Sequence, residues 1–400
     1  MSIKFLKDRI AVADIVIPYG RQLISDADIQ AVIKVLKSDW LTQGPEVDRF
    51  ERVMAEYCGA EYAVAVNSAT SALHLACLAA GLGSGDMFWT SPNTFVASAN
   101  CGLYCGADVG FVDIDPCTYN IGVEPLENKL ADATSIGKLP KVVIPVHFAG
   151  QSSEMELIRE MSLNYGFSVI EDASHAIGGR YKGHTIGSCF YSDMTVFSFH
   201  PVKIITTGEG GMVLTNRREL YDKLIRLRSH GITRNPDLMQ EESHGPWYYQ
   251  QIDLGFNYRM TDIQAAIGVS QMQLLDEFVV RRHELARRYN SLLSDLPLIL
   301  PYQSSECYSA FHLYVVRVDA DKTKIPRRKV FDVLRAANIG VNVHYIPIHT
   351  QPFYLRLGFA AGMFPEAEKY YTEAISLPMF AGMTEGQQDR VIEALKECLA

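Results

Sequence analysis

Phe197-Ser-Phe-His-Pro-Val-Lys-Ile-Ile-Thr-Thr-Gly-Glu-Gly-Gly211 joins an apolar strand, Met194–Phe199, to a Gly-rich turn, and a second apolar run, 211–215, follows. Lys203 therefore sits where a buried strand end meets a pocket. An amine withdrawn from water has its pKa lowered and becomes a neutral nucleophile near pH 7, able to condense with an aldehyde. Most lysines are solvated surface charges, so the position needs support from elsewhere in the chain.

That support comes from two segments upstream. Phe167-Ser-Val-Ile-Glu-Asp-Ala-Ser-His175 reads as a short buried strand ending in acidic residues and a histidine. An aspartate there, Asp172, points into the crevice at the carboxyl edge of a parallel sheet, where α/β proteins bind ligands. A buried carboxylate is what pyridoxal phosphate requires to keep its ring nitrogen protonated. The alternative, Glu171 and Asp172 as caps of the next turn, stays open. Tyr62–Asn67 is strand-like, and Ser68-Ala-Thr-Ser71 opens a helical run through Leu82. Small hydroxyl residues at a helix start can leave backbone N–H groups for a phosphate or serve as plain N-caps.

Taken together the segments resemble the DegT/StrS-type sugar aminotransferases, a branch of the fold type I pyridoxal-phosphate enzymes. The resemblance runs from about Ile17 to the last helix. It is carried by Trp40-Leu-Thr-Gln-Gly-Pro45, Asn67-Ser-Ala-Thr-Ser71, Ser91-Pro-Asn-Thr-Phe-Val-Ala97, Glu171-Asp-Ala-Ser-His175, Ser198-Phe-His-Pro-Val-Lys203 and Gly255-Phe-Asn-Tyr-Arg-Met-Thr-Asp262. The run Ser198–Gly211 and Val343-His-Tyr-Ile-Pro347 are most similar to the branch that aminates a UDP-linked 4-keto-6-deoxy-N-acetyl hexose for pseudaminic acid, a surface-glycan sugar.

The resemblance implies pyridoxal 5'-phosphate as cofactor, L-glutamate as amino donor and a nucleotide-linked keto-sugar as acceptor. It implies Lys203 as the Schiff-base lysine and proton shuttle, Asp172 as partner of the ring nitrogen, and His175 at the cofactor's phenolic oxygen. Phe95 would lie on the ring face. Ala69, Thr70 and Ser198 would hold the phosphate. Asn257 would reach the phosphate of a neighbouring subunit, which makes the protein a homodimer with shared active sites. Tyr19, Trp40, Leu41, Thr42, Arg259, His344 and Tyr345 match positions placed near substrate. Three features depart from the family pattern: His147-Phe-Ala-Gly150 where a Leu-Tyr pair is usual, the insertion 131–140, and Ser174 where many relatives carry alanine.

Composition agrees. The 400 residues are 48% hydrophobic, enough for a large core, and the net charge of −9 argues against a nucleic-acid binder. Eight scattered cysteines form no C-x-x-C pair and fit reduced cytoplasmic thiols. No secretory signal or membrane-length run is visible, so a cytoplasmic protein is expected. Gly81-Leu-Gly-Ser-Gly85 ends a helix where a dinucleotide fingerprint should follow a strand, no P-loop motif is present, and His344 with His349 lacks a third metal ligand.

The alternation of apolar strands with helical patterns predicts an α/β fold, a mostly parallel sheet covered on both faces, with a smaller α+β C-terminal domain. The expected division is an N-terminal extension (residues 1–16), a large cofactor-binding domain carrying the substrate segment (17–285) and a small domain (286–400). The stretch 261–293 reads as one long helix bridging the two, and 231–246 as a functional or mobile loop. Competing functions are an aminotransferase for a different acceptor (a dTDP-sugar or a 3-keto-sugar), a sugar dehydratase of the same family, and a non-catalytic regulator. The dehydratase branch replaces the lysine with histidine, so Lys203 opposes it.

Overall fold

A computed structural model describes residues 16–399; most of the expected N-terminal extension lies outside them. The chain opens with helices α1 (Asp26–Leu36) and α2 (Pro45–Cys58), then alternates. Strands β1 (Tyr62–Val66), β2 (Met87–Thr90), β3 (Asp108–Phe111), β4 (Val142–Ile144) and β5 (Ser168–Asp172) are separated by α3 (Ala69–Ala79), α4 (Ala97–Tyr104), α5 (Val123–Ser135) and α6 (Met155–Tyr165). Two-residue strands β6 (Arg180–Tyr181) and β7 (His184–Thr185) precede β8 (Met194–Ser198), β9 (Gly211–Thr215) and α7 (Arg218–Arg228).

The central sheet has seven strands in the order β1-β9-β8-β5-β4-β2-β3. All pairings are parallel except those of β9, which runs against both β1 and β8. The reversal has a local cause: Ser198 and Gly211 face each other in register, so the lysine-bearing loop returns the chain alongside the strand it has just left. A connection of a dozen residues with no crossover helix suits antiparallel neighbours, since parallel ones are usually joined through a helix. The sheet is buried on both faces, and β8 and β9 are buried at every position, as continuous apolar runs require.

Helices α8 (Asp262–Met272) and α9 (Leu275–Leu293) occupy the stretch expected to form one helix. The chain breaks at Gln273–Leu274, where Gln273 N–H bonds to Ser270 O and Leu274 N–H to Gln271 O, a tightened turn between them. The first half of α9 contributes Leu275, Phe278 and Val279 to the core beneath α2 and β9. Its second half contributes Leu285, Tyr289 and Leu293 to a separate core with Tyr314, Val330, Leu334, Ile375, Leu395 and Ile17. That second core is closed by a small antiparallel sheet of β12 (Leu298–Ile299), β14 (Tyr314–Val318) and β15 (Ala374–Leu377), with β14 central. Helices α10 (Arg327–Ala336) and α13 (Glu385–Leu399) pack in that core, α11 (Pro352–Leu355) and α12 (Pro365–Glu373) pack in a further cluster with Ala99, Phe111 and Phe148, and β13 (Cys307–Tyr308) crosses back to pair with β6.

The segment 231–246 is not wholly irregular. Ile232–Thr233 (β10) pairs with Gln250–Gln251 (β11) as an antiparallel arm with Trp247 exposed at its far end. The insertion 131–140 is the end of α5 and its Gly137 turn, with φ of 67° at the glycine. Among the described residues, no helix is long and apolar enough to cross a membrane.

Candidate active site

Strand polarity brings the site together. The carboxyl ends of β1, β5 and β8 lie along one edge of the sheet, and they carry Ser68 with the start of α3, Asp172, and Ser198. Residues that leave a parallel sheet at this edge converge on a shared crevice. Here the crevice is a cavity of about 460 Å³, lined by ten of the residues expected from sequence: Tyr19, Ala69, Thr70, Phe95, Asp172, His175, Ser198, Lys203, His344 and Tyr345.

Lys203 is held by a loop tied to itself. Its N–H bonds to His200 O, Thr207 N–H and the Thr206 hydroxyl bond to Phe199 O, and the Thr207 hydroxyl bonds to Glu209 O. Burial lowers its amine to a pKa of about 8, and the nearby Asp172 opposes that shift.

Asp172 is buried and accepts three hydrogen bonds. Ser98 Oγ donates to Oδ2 at 2.6 Å, while Ser174 donates to Oδ1 from its hydroxyl at 2.6 Å and its N–H at 3.1 Å. His175 uses both ring nitrogens. Ala149 N–H donates to Nδ1, so the neutral ring carries its proton on Nε2, which bonds to Tyr345 Oη at 3.1 Å. His344 is settled in the same way, with Nε2 facing the Asn342 amide and Nδ1 on Ser376 Oγ at 2.7 Å. Burial, with Lys203 nearby, pushes His175 well below the usual imidazole range and His344 to about 3. Both are neutral at physiological pH.

The surfaces a phosphorylated pyridine aldehyde needs are present. The Ser68 hydroxyl caps α3 through Ser71 N–H, leaving the Ala69 and Thr70 N–H groups at the helix start without an intrahelical partner. Gly211, in register with both Val66 and Ser198, has no room for a side chain: a Cβ would lie 2.5 Å from Ala69 N and from Ser68 C and O. The helix terminus is thereby drawn hard against the sheet edge. Phe95 is 58% exposed and lines the cavity beside Tyr345, the two ring centroids 6.3 Å apart, so a large apolar ring face is open to a ligand. The residues fit the cofactor.

Five expected residues are not at this cavity. Trp40 and Arg259 line a second one, with Arg228 and Met260. Leu41 is exposed, with its carbonyl accepting from Asp262 N–H, and Thr42 bridges to Thr261. Asn257 is exposed and bridges to Ser229. Within one chain they do not meet Lys203.

Sequence reading overlooked Ser98, Thr94 and His312. Thr94, just before α4, and Ser98, in its first turn, bond through their hydroxyls at 2.8 Å, and their four-residue spacing at a helix start was the available signal. His312 lines the cavity with its ring 4.4 Å from that of His175, and its Nδ1 is buried without a partner. A histidine opening the apolar run Leu313–Val318 was its signal. The departure at His147–Gly150 is structural: His147 is fully buried on Glu171 at 2.6 Å, and the backbone of Ala149 orients His175.

The chain matches the DegT/DnrJ/EryC1/StrS aminotransferase family over residues 22–396. It is 41% identical over 384 residues to the spore coat polysaccharide biosynthesis protein SpsC of Bacillus subtilis, covering 95% of this chain and 96% of that one. An uncharacterised protein of Methanocaldococcus jannaschii is 42% identical over 386 residues, covering 96% and 98%. Among solved structures, Helicobacter pylori PseC, an aminotransferase involved in the biosynthesis of pseudoaminic acid, superposes with a TM-score of 0.86 at 30% identity, covering 96% of this chain and 99% of that one. With a cavity that fits the cofactor and a family match spanning the fold, this chain belongs to the DegT/DnrJ/EryC1/StrS family and is a pyridoxal-phosphate-dependent sugar aminotransferase.

Proposed function

We propose that the protein transfers the amino group of L-glutamate to the C4 ketone of a UDP-linked 4-keto-6-deoxy-N-acetyl hexose, in the cytoplasm, on the route to pseudaminic acid. The observation that carries the chemistry is a buried lysine amine with a pKa near 8 in one cavity with a triply hydrogen-bonded aspartate. Bound pyridoxal phosphate supplies the electron sink. Lys203 would hold its aldehyde carbon and, once displaced there by the donor amine, would carry the proton between the substrate carbon and the cofactor carbon. Asp172 holds the proton at the ring nitrogen, and Phe95 fixes the ring plane. The Ala69 and Thr70 N–H groups and the Ser198 hydroxyl bind the phosphate, and His175 orients the Tyr345 hydroxyl toward the site. Tyr19, with its ring 5.5 Å from that of His344, offers an aromatic surface to the substrate.

The proposed homodimer with shared sites is supported by charge. Among the described residues, Lys203 is the only Lys or Arg lining the main cavity, whereas both substrates and the phosphate are anionic. Arg259, Trp40 and Asn257 lie apart from Lys203 in the same chain, which suits residues contributed to a partner's site. The proposed division into a large unit (17–285) and a small one (286–400) is supported by α9, whose first half packs in one core and second half in the other, although Ile17 and Leu285 pack in the small unit's core.

The sugar assignment rests on the resemblance to PseC. SpsC, closer in sequence, favours a second reading in which the acceptor is another nucleotide-linked keto-sugar of a surface polysaccharide. Incubating the holoenzyme and L-glutamate separately with UDP- and dTDP-linked 4-keto and 3-keto sugars, with mass detection of product, decides between them. A clear kcat/KM preference for the UDP-4-keto-N-acetyl sugar supports the first reading; preference for any other acceptor replaces it with the second.

A further inference from the structure

Asp172 is gripped from two sides. Ser98, on α4, is fully buried and bonds onward to Thr94 Oγ1 at 2.8 Å, so its hydroxyl has a fixed direction. Ser174, in the turn after β5, places both its N–H and its hydroxyl on Oδ1. The backbone bond would be present with any residue at 174; the hydroxyl bond requires serine or threonine. An ionised carboxylate offers about four lone-pair directions. Two on Oδ1 and one on Oδ2 are taken, which leaves a single direction, on Oδ2, in a side chain that lines the cavity. A carboxylate free to rotate about its Cβ–Cγ bond would spread its remaining acceptors over several directions, whereas this one is locked.

We propose that Ser174 is a positioning residue for the transamination: with Ser98 it locks the Asp172 carboxylate so that its one remaining lone pair meets the protonated ring nitrogen of pyridoxal phosphate. The inference rests on the reading of Asp172 as the ring-nitrogen partner. It assigns to the Ser174 hydroxyl a role in catalysis exerted through Asp172, without contact with the sugar. Two short hydroxyl bonds to a buried, charged acceptor are of the strong, charge-assisted kind. A carboxylate released from one of them loses orientation even though its own side chain is unchanged.

The test compares Ser174→Ala, Ser174→Thr and Ser98→Ala with Asp172→Asn and the parent. Each is stripped of cofactor and titrated with pyridoxal phosphate, and the pH dependence of the visible absorption of the reloaded proteins is recorded. Loss of one charge-assisted hydrogen bond should weaken cofactor affinity about tenfold in Ser174→Ala. Its absorption profile should shift in the direction of Asp172→Asn by a smaller amount. In steady state, kcat should fall with KM for the sugar little changed, and Ser174→Thr should recover most of both losses. Ser98→Ala, on a different element, should reproduce the phenotype, so a folding failure in one variant leaves the other to decide. If Asp172→Asn shifts affinity and spectrum while neither serine variant does, the serine lock is wrong and the reading of Asp172 stands. If Asp172→Asn itself changes nothing, both fall. A change in KM alone, without a spectral shift, would place Ser174 at the substrate and overturn the proposal.

Discussion

Lys203 carries an electrostatic cost that can be measured without substrate. Its folded pKa lies near 8, below the ordinary lysine value of 10.5, because burial disfavours the ammonium. Between those values the unfolded chain holds a proton that the folded chain has released, so stability rises with pH through this window. A depression of that size corresponds to roughly 3 kcal/mol of instability carried by the charged amine below pH 8. Cofactor-free Lys203→Met should therefore be more stable than the parent at pH 7 by up to about 3 kcal/mol in denaturant unfolding, the gap closing as pH passes 10.5. An unchanged or reversed gap contradicts a buried, depressed amine. Capture of pyridoxal phosphate by the cofactor-free parent should also quicken with pH, with its midpoint near 8, since only the neutral amine attacks. Stopped-flow absorbance reads this directly.

At the scale of elements, the site depends on how closely α3 approaches the sheet edge. Gly211→Ala would put a methyl group 2.5 Å from backbone atoms of Ser68 and Ala69, none of which can swing away. The N-terminus of α3 must retreat, and pyridoxal-phosphate affinity should fall at least tenfold, with about 1–3 kcal/mol lost in thermal unfolding. A variant with parental affinity would show that the helix terminus does not hold the phosphate. A second junction ties α8 to α2. The fully buried Asp262 carboxylate accepts from Gly44 N–H at 2.8 Å and Glu46 N–H at 2.9 Å, capping a helix that begins at Pro45 with no side-chain cap of its own. Asp262→Ala should cost about 2 kcal/mol by the same measurement, since it strands two half-buried donors. These junctions also mark where sequence reading stopped. The strand ending at Asp172 and the loop holding Lys203 were legible because apolar runs and glycines announce them locally. The break between α8 and α9 was not, because no glycine or proline interrupts the apolar pattern at Gln273. Ser98 was invisible as a site residue because its partner lies 74 positions away, and nothing in α4 alone specifies it. The neutral, fully bonded state of His175 likewise depends on Ala149 and Tyr345, which only the fold brings to it.

For the whole molecule, Trp40 and Arg259 line a different cavity from Lys203, and the proposed shared dimeric site would account for that. Lys203→Ala and Asn257→Ala proteins, each impaired alone, should complement when unfolded together and refolded. Heterodimers would hold one site with both native residues, restoring about a quarter of parental activity in an equal mixture. No recovery, or a monomer in sedimentation, would contradict shared sites. The fold class was readable at this scale from the strand–helix alternation alone. The assignment of Trp40 and Arg259 to a second cavity was not, since their motifs look as functional in sequence as those around Lys203.

The central claim is that Lys203 and Asp172 perform transamination with pyridoxal phosphate. It is tested most directly by the absorbance spectrum of the purified holoenzyme before and after L-glutamate, beside Lys203→Ala. The account predicts a visible band in the parent that glutamate removes, replaced by a near-ultraviolet band, with no such conversion in the variant. A visible band that glutamate leaves unchanged, or the same conversion in Lys203→Ala, would contradict it.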